Sequence, residues 1–220
     1  MVIINGLFII HQTLKTKTLV LFDFDKTLYS KDSLSEFTKY YKGNSFFYTG
    51  IITLLPFLLM MKLGLLSNEK TKIKYLSHFF KDEDYTVFSQ KAALFAKTKI
   101  KKNVNPKIFS AMLHHTHSNH DIYIVTASFS EWIEPWCEKY NIKVIGTKLE
   151  IVNNKITGEL NSKNCNGKEK VNRIEEIIKI ENYNQIFVYG TGKGDTEMLK
   201  LAKQTLPKIN TQNQKIKEII

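Results

Sequence analysis

Two aspartates separated by one residue, in Asp23-Phe24-Asp25-Lys26-Thr27-Leu28, are the side chains of this sequence best suited to chemistry. They follow the apolar run Leu19-Val20-Leu21-Phe22, which reads as a buried strand. A carboxylate at the carboxyl end of such a strand is delivered to the mouth of a sheet, where ligands bind in open α/β folds. Burying it unpaired would be costly. One member of such a pair can act as a nucleophile and the other as an acid or base, and together they can hold a hard cation. The plain alternative is a strand running into an Asp-rich turn.

Several elements must position this pair. Leu19–Phe24 reads as a first strand, and the stretch from Ser33 to Pro106 is helical in character. Asp121–Thr126 reads as a second buried strand, ending at Thr126-Ala127-Ser128, and Ser130 is placed to cap a helix through Tyr140. Lys143–Gly146 is a short third strand, and Thr147–Leu160 alternates like a hairpin with Asn153-Asn154 at its turn. Glu169–Ile180 is helical, with Val171, Ile174, Ile177 and Ile178 on one face. Gln185–Tyr189 is a fourth strand, followed by Gly190-Thr191-Gly192-Lys193-Gly194-Asp195, a helix to about Lys203 and a short strand at Thr205–Lys208. Alternating strands and helices imply an α/β fold, a Rossmann-like parallel sheet with helices on both faces. The organisation expected is a core from residues 16–32 and 107–220, with residues 33–106 as a helical cap.

The 220 residues suit one domain with an insertion, or two small ones, and 43% apolar content supports a real core. The formal charge is +11, and Arg173 is the single arginine. A nucleic-acid reader would use arginine forks, so nucleic acid is not the expected partner. Lysine charge of this kind suits anions in general: a phosphorylated small molecule, a phospholipid head group or an anionic membrane surface. A solvated lysine surface is the alternative. Cys137 and Cys165 have neither disulfide nor metal-ligand spacing, which points to a reducing compartment. Met1–Ile10 is apolar but short and lacks a basic leading region, so it does not read as a secretory signal. Gly190–Gly194 imitates a nucleotide-binding loop, but lacks both the G-x-G-x-x-G spacing and a later acidic partner.

The order of these motifs, over roughly Leu19 to Leu206, resembles the haloacid dehalogenase superfamily of phosphohydrolases. It is most similar to the branch with a helical cap after the first motif, which includes phosphoserine phosphatases and a bacterial phosphatidylglycerophosphatase. The resemblance implies a magnesium-dependent phosphatase working through an aspartyl-phosphate, with the site at the carboxyl edge of the sheet. It makes Asp23 the nucleophile and Asp25 the acid that protonates the leaving oxygen and then activates water. Thr27, Thr126 and Ala127 would contact the substrate phosphate. A lysine of Cys165-Asn166-Gly167-Lys168-Glu169-Lys170-Val171 would neutralise charge, Lys170 being favoured and Lys168 the runner-up. The metal candidates are Asp23, Asp25, Asp195 and Thr191. The family's fourth motif usually begins Gly-Asp, and that aspartate binds the magnesium. Gly190-Thr191 stands there instead, a neutral and weaker ligand, with Asp195 or a water as the replacement. Asp32 lies where phosphoserine phosphatases carry a glutamate that contacts the substrate amine; a helix N-cap is the equal alternative.

Gly43 to Met61 contains no charged residue, a borderline length for a membrane span. A single crossing would separate Asp23 from Thr126, so the segment must be a buried core of the cap, an interfacial or re-entrant element, or one of two spans. Pro56 suggests a break into two short helices. His114, His115, His117 and His120 read as solvated residues at a helix end rather than as a zinc cluster. The function expected is a magnesium-dependent phosphohydrolase, cytoplasmic, with membrane association left open. The alternatives are a lipid phosphatase of the phosphatidylglycerophosphate type and a catalytically weak relative that binds a phosphorylated ligand.

Overall fold

The structure, a computed structural model, describes residues 17–202. The apolar N-terminal segment and the strand expected at Thr205–Lys208 lie outside the described residues. Four parallel strands form the main sheet: β1 (Thr18–Phe22), β2 (Asp121–Phe129), β3 (Lys143–Thr147) and a last strand, Gln185–Tyr189. β1 is central, with β2 on one side and Gln185–Tyr189 on the other, and β3 outside β2. Leu19 pairs with Asp121 and Ile186, and Phe22 with Ile124 and Tyr189. Strand order therefore reverses beside β1, which puts a crevice at its carboxyl end. β2 runs three residues past Thr126, with an irregularity between Val125 and Phe129 in its pairing with β3.

Alternation along β1 builds two cores. Val20 and Phe22 face one side, packing with Met112 of α5 (Pro106–His117) and with Trp132, Ile133 and Trp136 of α6 (Ser130–Cys137). Leu19 and Leu21 face the other, against Ile174 of α7 (Lys168–Ile177) and Met198 of α8 (Thr196–Leu199). Three local expectations change. Ser130 is the first helical residue of α6 and makes no cap bond, because the longer β2 delivers the chain to the helix at Phe129. Ile177 is exposed, since α7 ends there and its buried stripe is carried by Ile174 with Ile178 beyond. The last helix stops at Leu199 rather than near Lys203.

Between β1 and α5 lies an insert of four helices: α1 (Ser33–Lys42), α2 (Asn44–Lys62), α3 (Asn68–Phe79) and α4 (Tyr85–Thr98). Asp32, Ser67 and Asp84 cap α1, α3 and α4, each side chain accepting from an amide in the first turn. Their shared interior is aromatic: Phe37 stacks on Trp132 at 4.6 Å, with Tyr41, Phe80, Phe88 and Phe95 around it. Pro56 does not divide α2, which is continuous. Proline costs the helix only the bond to the carbonyl of Ile52, which lies on its exposed side. The expected hairpin is present as β4 (Leu149–Val152) and β5 (Lys155–Leu160), antiparallel, with Asn153 and Asn154 both at positive φ in its turn. It is stitched to the insert by amides of Asp82 and Tyr85 that donate to the carbonyls of Ile156 and Asn154. Gln185–Tyr189, the fourth main-sheet strand, is numbered β6.

Candidate active site

The chain leaves β1 through a tight loop that decides where the carboxylates point. The Asp23 amide donates to the Tyr189 carbonyl at 2.8 Å, continuing the pairing with β6. Lys26 then takes a left-handed φ of 61°, unusual for a lysine, and the loop doubles back so that Thr27 Oγ1 donates to Asp23 Oδ2 at 2.9 Å. Strain at a strand end is a frequent companion of a working site.

Lys170 is the centre of the cluster. Only 1% exposed, its ammonium donates to Asp23 Oδ1 at 2.6 Å, Asp195 Oδ1 at 2.6 Å and the Val125 carbonyl at 2.8 Å. A lysine has three N–H donors, and all are used. Burial works against the ammonium, but Asp23 and Asp195 outweigh it and hold Lys170 above its ordinary pKa. Burial pushes Asp23 above the usual carboxylate range, opposed by Lys170 and aided by Asp195. Lys168, the other candidate, is exposed in the first turn of α7 and bonds to none of these groups, because two residues along a helix point to different sides.

Asp195 makes three hydrogen bonds. One oxygen takes the Lys170 bond, and the other accepts from the amides of Thr191 at 3.0 Å and Gly192 at 2.8 Å. Beside the metal role expected of it, Asp195 therefore has a second role, in positioning. Asp195 holds Lys170 and the Thr191 loop through these three bonds. Gly190 permits this: a Cβ there would lie 2.7 Å from Asp195 Cβ. The Thr191 hydroxyl sits 3.1 Å from that of Thr27. Among the described residues, no three His, Cys, Asp or Glu side chains converge as a metal site. A hard cation at this mouth would find the Asp23 carboxylate and the hydroxyls of Thr27 and Thr191. That donor set suits magnesium, which keeps several waters and accepts one or two carboxylates plus a substrate phosphate.

Asp25 lies on the insert side. Its Oδ1 accepts from the Ser33 amide at 2.9 Å, and burial, with the nearby Asp32 charge, raises its pKa to about 7. Asp32 caps α1, its Oδ1 accepting from the Ser35 amide at 2.8 Å, and is exposed. Thr126 is buried beside the carbonyl that anchors Lys170, and its Oγ1 accepts from the Ser128 amide at 3.0 Å, leaving its own proton to donate.

Five residues that sequence reasoning did not assign to the site complete the picture. Lys72, from α3 of the insert, donates to the Ala127 carbonyl and to Asn164 Oδ1, the latter at 2.6 Å. Burial lowers its pKa to about 8. Ser33 and Ser128 bond hydroxyl to hydroxyl at 2.7 Å, and Trp132 Nε1 donates to Ser33, tying α1 to β2 and α6. Nothing in the sequence marks Lys72 among so many lysines, or Asn164 in its loop. The Ser128 position, two residues past a strand-end threonine, was the one available signal. The histidines are also corrected in part. His115 is buried, not solvated: its Nε2 bonds the Tyr189 hydroxyl at 2.9 Å, its Nδ1 lies 2.8 Å from that of His120, and burial lowers its pKa to about 4.

A family model described as haloacid dehalogenase-like hydrolase matches residues 20–200. The chain belongs to that family. It is 30% identical over 188 residues to Protein CicA of Caulobacter vibrioides strain NA1000 / CB15N, covering 84% of this chain and 83% of that protein. A Bordetella pertussis Tohama I protein of unknown function shares its fold with a TM-score of 0.71 at 18% identity, over 85% of this chain and 87% of that one. A phosphoserine phosphatase, solved as a phospho-aspartyl intermediate analogue, gives a TM-score of 0.61 at 20% identity, over 85% and 84% of the two chains. In this haloacid dehalogenase-like hydrolase, then, the strand-end cluster occupies the carboxyl edge of the parallel sheet, and the insert roofs it through Lys72, Asp32 and Ser33.

Proposed function

We propose that this hydrolase is a phosphatase that cleaves a phosphate monoester through a covalent aspartyl-phosphate on Asp23. The observation that carries the reading is the triple bond set of Lys170, which locks Asp23 in place at the strand end and supplies a fixed positive charge beside it. Phosphoryl transfer needs little beyond positioning and charge stabilisation, and this cluster offers both. Asp23 attacks phosphorus, and Asp25 gives its proton to the departing alcohol oxygen. A water then attacks the aspartyl-phosphate, losing a proton to Asp25, and Asp23 and phosphate are regenerated. A pKa of about 7 suits Asp25 to both halves, since acid–base groups work best near the operating pH. The Thr126 hydroxyl donates to a phosphate oxygen, Thr27 holds Asp23 in place through its bond to Oδ2, and Lys170 offsets the negative charge of Asp23 and the phosphate. Magnesium, held by Asp23 and Thr191 with waters, would neutralise phosphate charge when bound. The insert acts as a cap, with Lys72 its cationic contribution. Two buried, unpaired cysteines fit a reducing, cytoplasmic setting.

The test is a screen of phosphate monoesters with and without magnesium, followed by mass spectrometry of acid-quenched protein. Turnover with a phosphate mass added to a peptide containing Asp23 is the expected result. Turnover without that adduct in single-turnover trapping would remove the covalent mechanism. A second reading, a phosphoryl-ligand binder with little turnover, is favoured by one observation: beside Thr27 the site mouth offers the neutral Thr191 hydroxyl, a weaker magnesium ligand than a carboxylate. Tight phosphate binding without hydrolysis of any monoester would select it.

A further inference from the structure

The active site makes no use of the outer face of α2. That helix is long and apolar enough to cross a membrane by length and composition. Yet its buried residues are only Phe47, Gly50 and Leu54, all on the side toward α3, where Phe79 packs so closely that a Cβ on Gly50 would meet its ring. On the opposite side Tyr48, Ile52, Leu55 and Leu59, with Leu63 just past the helix end, follow one another at three- and four-residue spacing and form a single stripe. Ile52 is 70% exposed and Leu63 73%, and Leu65 in the following turn is 71% exposed. Such a contiguous apolar surface marks an interaction site.

We propose that α2 docks the protein on an anionic membrane surface, lying flat with the Tyr48–Leu63 stripe among the acyl chains and lysines at the lipid phosphates. Three observations select a lipid. First, the helix hides most of its polar atoms: the hydroxyls of Thr49 and Thr53 donate to backbone carbonyls one turn back, so neither donor is left unmet in hydrocarbon. The stripe itself offers only the Tyr48 hydroxyl and the Ile52 carbonyl that Pro56 frees, where a protein interface carries about one hydrogen bond per 100–200 Å². Second, no Asp or Glu lies between Glu36 and Glu69, while Lys62 at the end of α2 and Lys70 and Lys74 on the adjoining α3 have no carboxylate partner among the described residues. A second copy docking here would bring those like charges together, whereas anionic head groups neutralise them. Third, the topology fixes the pose. α1 brings Ser33, and α3 brings Lys72, to the one site, so both ends of α2 return to the same side. The helix therefore rests in the interface and does not cross.

Flotation of the full chain with phosphatidylcholine vesicles, with and without phosphatidylglycerol, tests this at low and high salt. Binding to the anionic vesicles is expected at low salt, falling roughly a hundredfold on neutral ones, the effect of about three lysines at an anionic surface. The double substitution Ile52→Gln with Leu59→Gln is expected to weaken binding at least tenfold with circular dichroism unchanged. Ile52→Trp gives a readout in a folded protein that binds: its emission shifts to the blue on addition of anionic vesicles. No flotation at low salt, flotation indifferent to the double substitution, or an unshifted Ile52→Trp emission overturns the proposal. So does concentration-dependent self-association that the double substitution abolishes while no vesicle binding exists. None of these readouts depends on catalysis.

Discussion

Lys170 and Lys72 are both lysines drawn out of water beside the same strand ends, and their surroundings give them opposite characters. Lys170, from the core, bonds two carboxylates and a carbonyl, and is held charged above its ordinary pKa in spite of burial. Lys72, from the insert, bonds two neutral oxygens, those of Ala127 and Asn164. Burial brings it down to about 8, with Asp25 and Asp32 offsetting only part of that. One N–H of Lys72 stays uncommitted. The difference separates two tasks. The floor of the site carries a cation already neutralised, which fixes geometry. The roof carries a cation short of a counter-charge, which an arriving phosphate would supply.

The largest break is at the floor. Asp23→Asn is expected to reduce hydrolysis to background with thermal stability retained, read by initial rates and melting. Asp25→Asn should cost about 10²–10⁴-fold, the usual worth of acid–base help. Lys170→Met should damage fold and activity together. It leaves Asp23 and Asp195 buried without a counter-charge, a loss of about 3–5 kcal/mol. Asp23, which burial already pushes above the usual carboxylate range, would then favour its protonated form in the folded state, so the variant should recover stability as pH falls. Denaturant melts at acidic and neutral pH check this; a variant equally stable at both, and as stable as the parent, would mean that the triad carries no electrostatic load.

The floor was legible in the sequence and the roof was not, and the reason is physical. Asp23, Thr27, Thr126, Lys170 and Asp195 sit at strand ends or helix starts, where an apolar run stopping at a polar residue is a local pattern. The sheet itself followed from the same runs, and Gln185–Tyr189 matches its expected span. Lys72 comes from the middle of a helix whose periodicity says only that it is amphipathic. Its role arises from packing between α3, β2 and the Asn164 loop, contacts 55 and 92 residues distant. The positioning role of Asp195 was hidden likewise, since composition shows a carboxylate and only geometry shows it bonded to Lys170 and two amides. α2 misled in a third way. An uncharged run looks the same whether both faces are buried or one, and the structure buries one.

A smaller effect is expected at the roof. Lys72→Met removes a charged hydrogen-bond donor, worth about 1.5–3 kcal/mol when it meets a phosphate. The Michaelis constant should rise roughly ten- to a hundredfold on that basis, with kcat less affected. The pH dependence gives the sharper reading. Lys72 is charged below its folded pKa of about 8, so kcat/KM should fall as pH rises through that value, and Lys72→Met should flatten this limb. For stability the sign is opposite to that of a salt bridge. The folded state disfavours the ammonium relative to the unfolded chain, so the cost is present below about 8 and fades as pH rises toward the ordinary lysine value. Lys72→Met should therefore be no less stable than the parent at neutral pH. A large loss of stability there would make Lys72 a structural strut between insert and core.

The smallest and most discriminating change is Thr191→Asp. The Thr191 hydroxyl lies 3.1 Å from Thr27 Oγ1, which in turn donates to Asp23 Oδ2 at 2.9 Å. A carboxylate at 191 would thus stand one hydroxyl away from the carboxylate of Asp23. Without a cation the two repel, and the variant should melt somewhat below the parent. With magnesium the second carboxylate becomes a ligand, and affinity for hard cations follows the ligand charge count. Roughly a tenfold tightening over the parent is expected by calorimetric titration. The gain in melting temperature on adding magnesium should also be larger for the variant, by linkage. Asp195→Asn serves as the counter-case, because its carboxylate bonds Lys170 and two amides. It should loosen Lys170 and slow turnover while changing magnesium affinity much less than Thr191→Asp does. If Thr191→Asp leaves the affinity unchanged, the metal is not held beside Thr191. If it tightens magnesium and raises turnover together, the threonine is what restrains this site, and the floor of the cluster is built for faster chemistry than the parent chain performs.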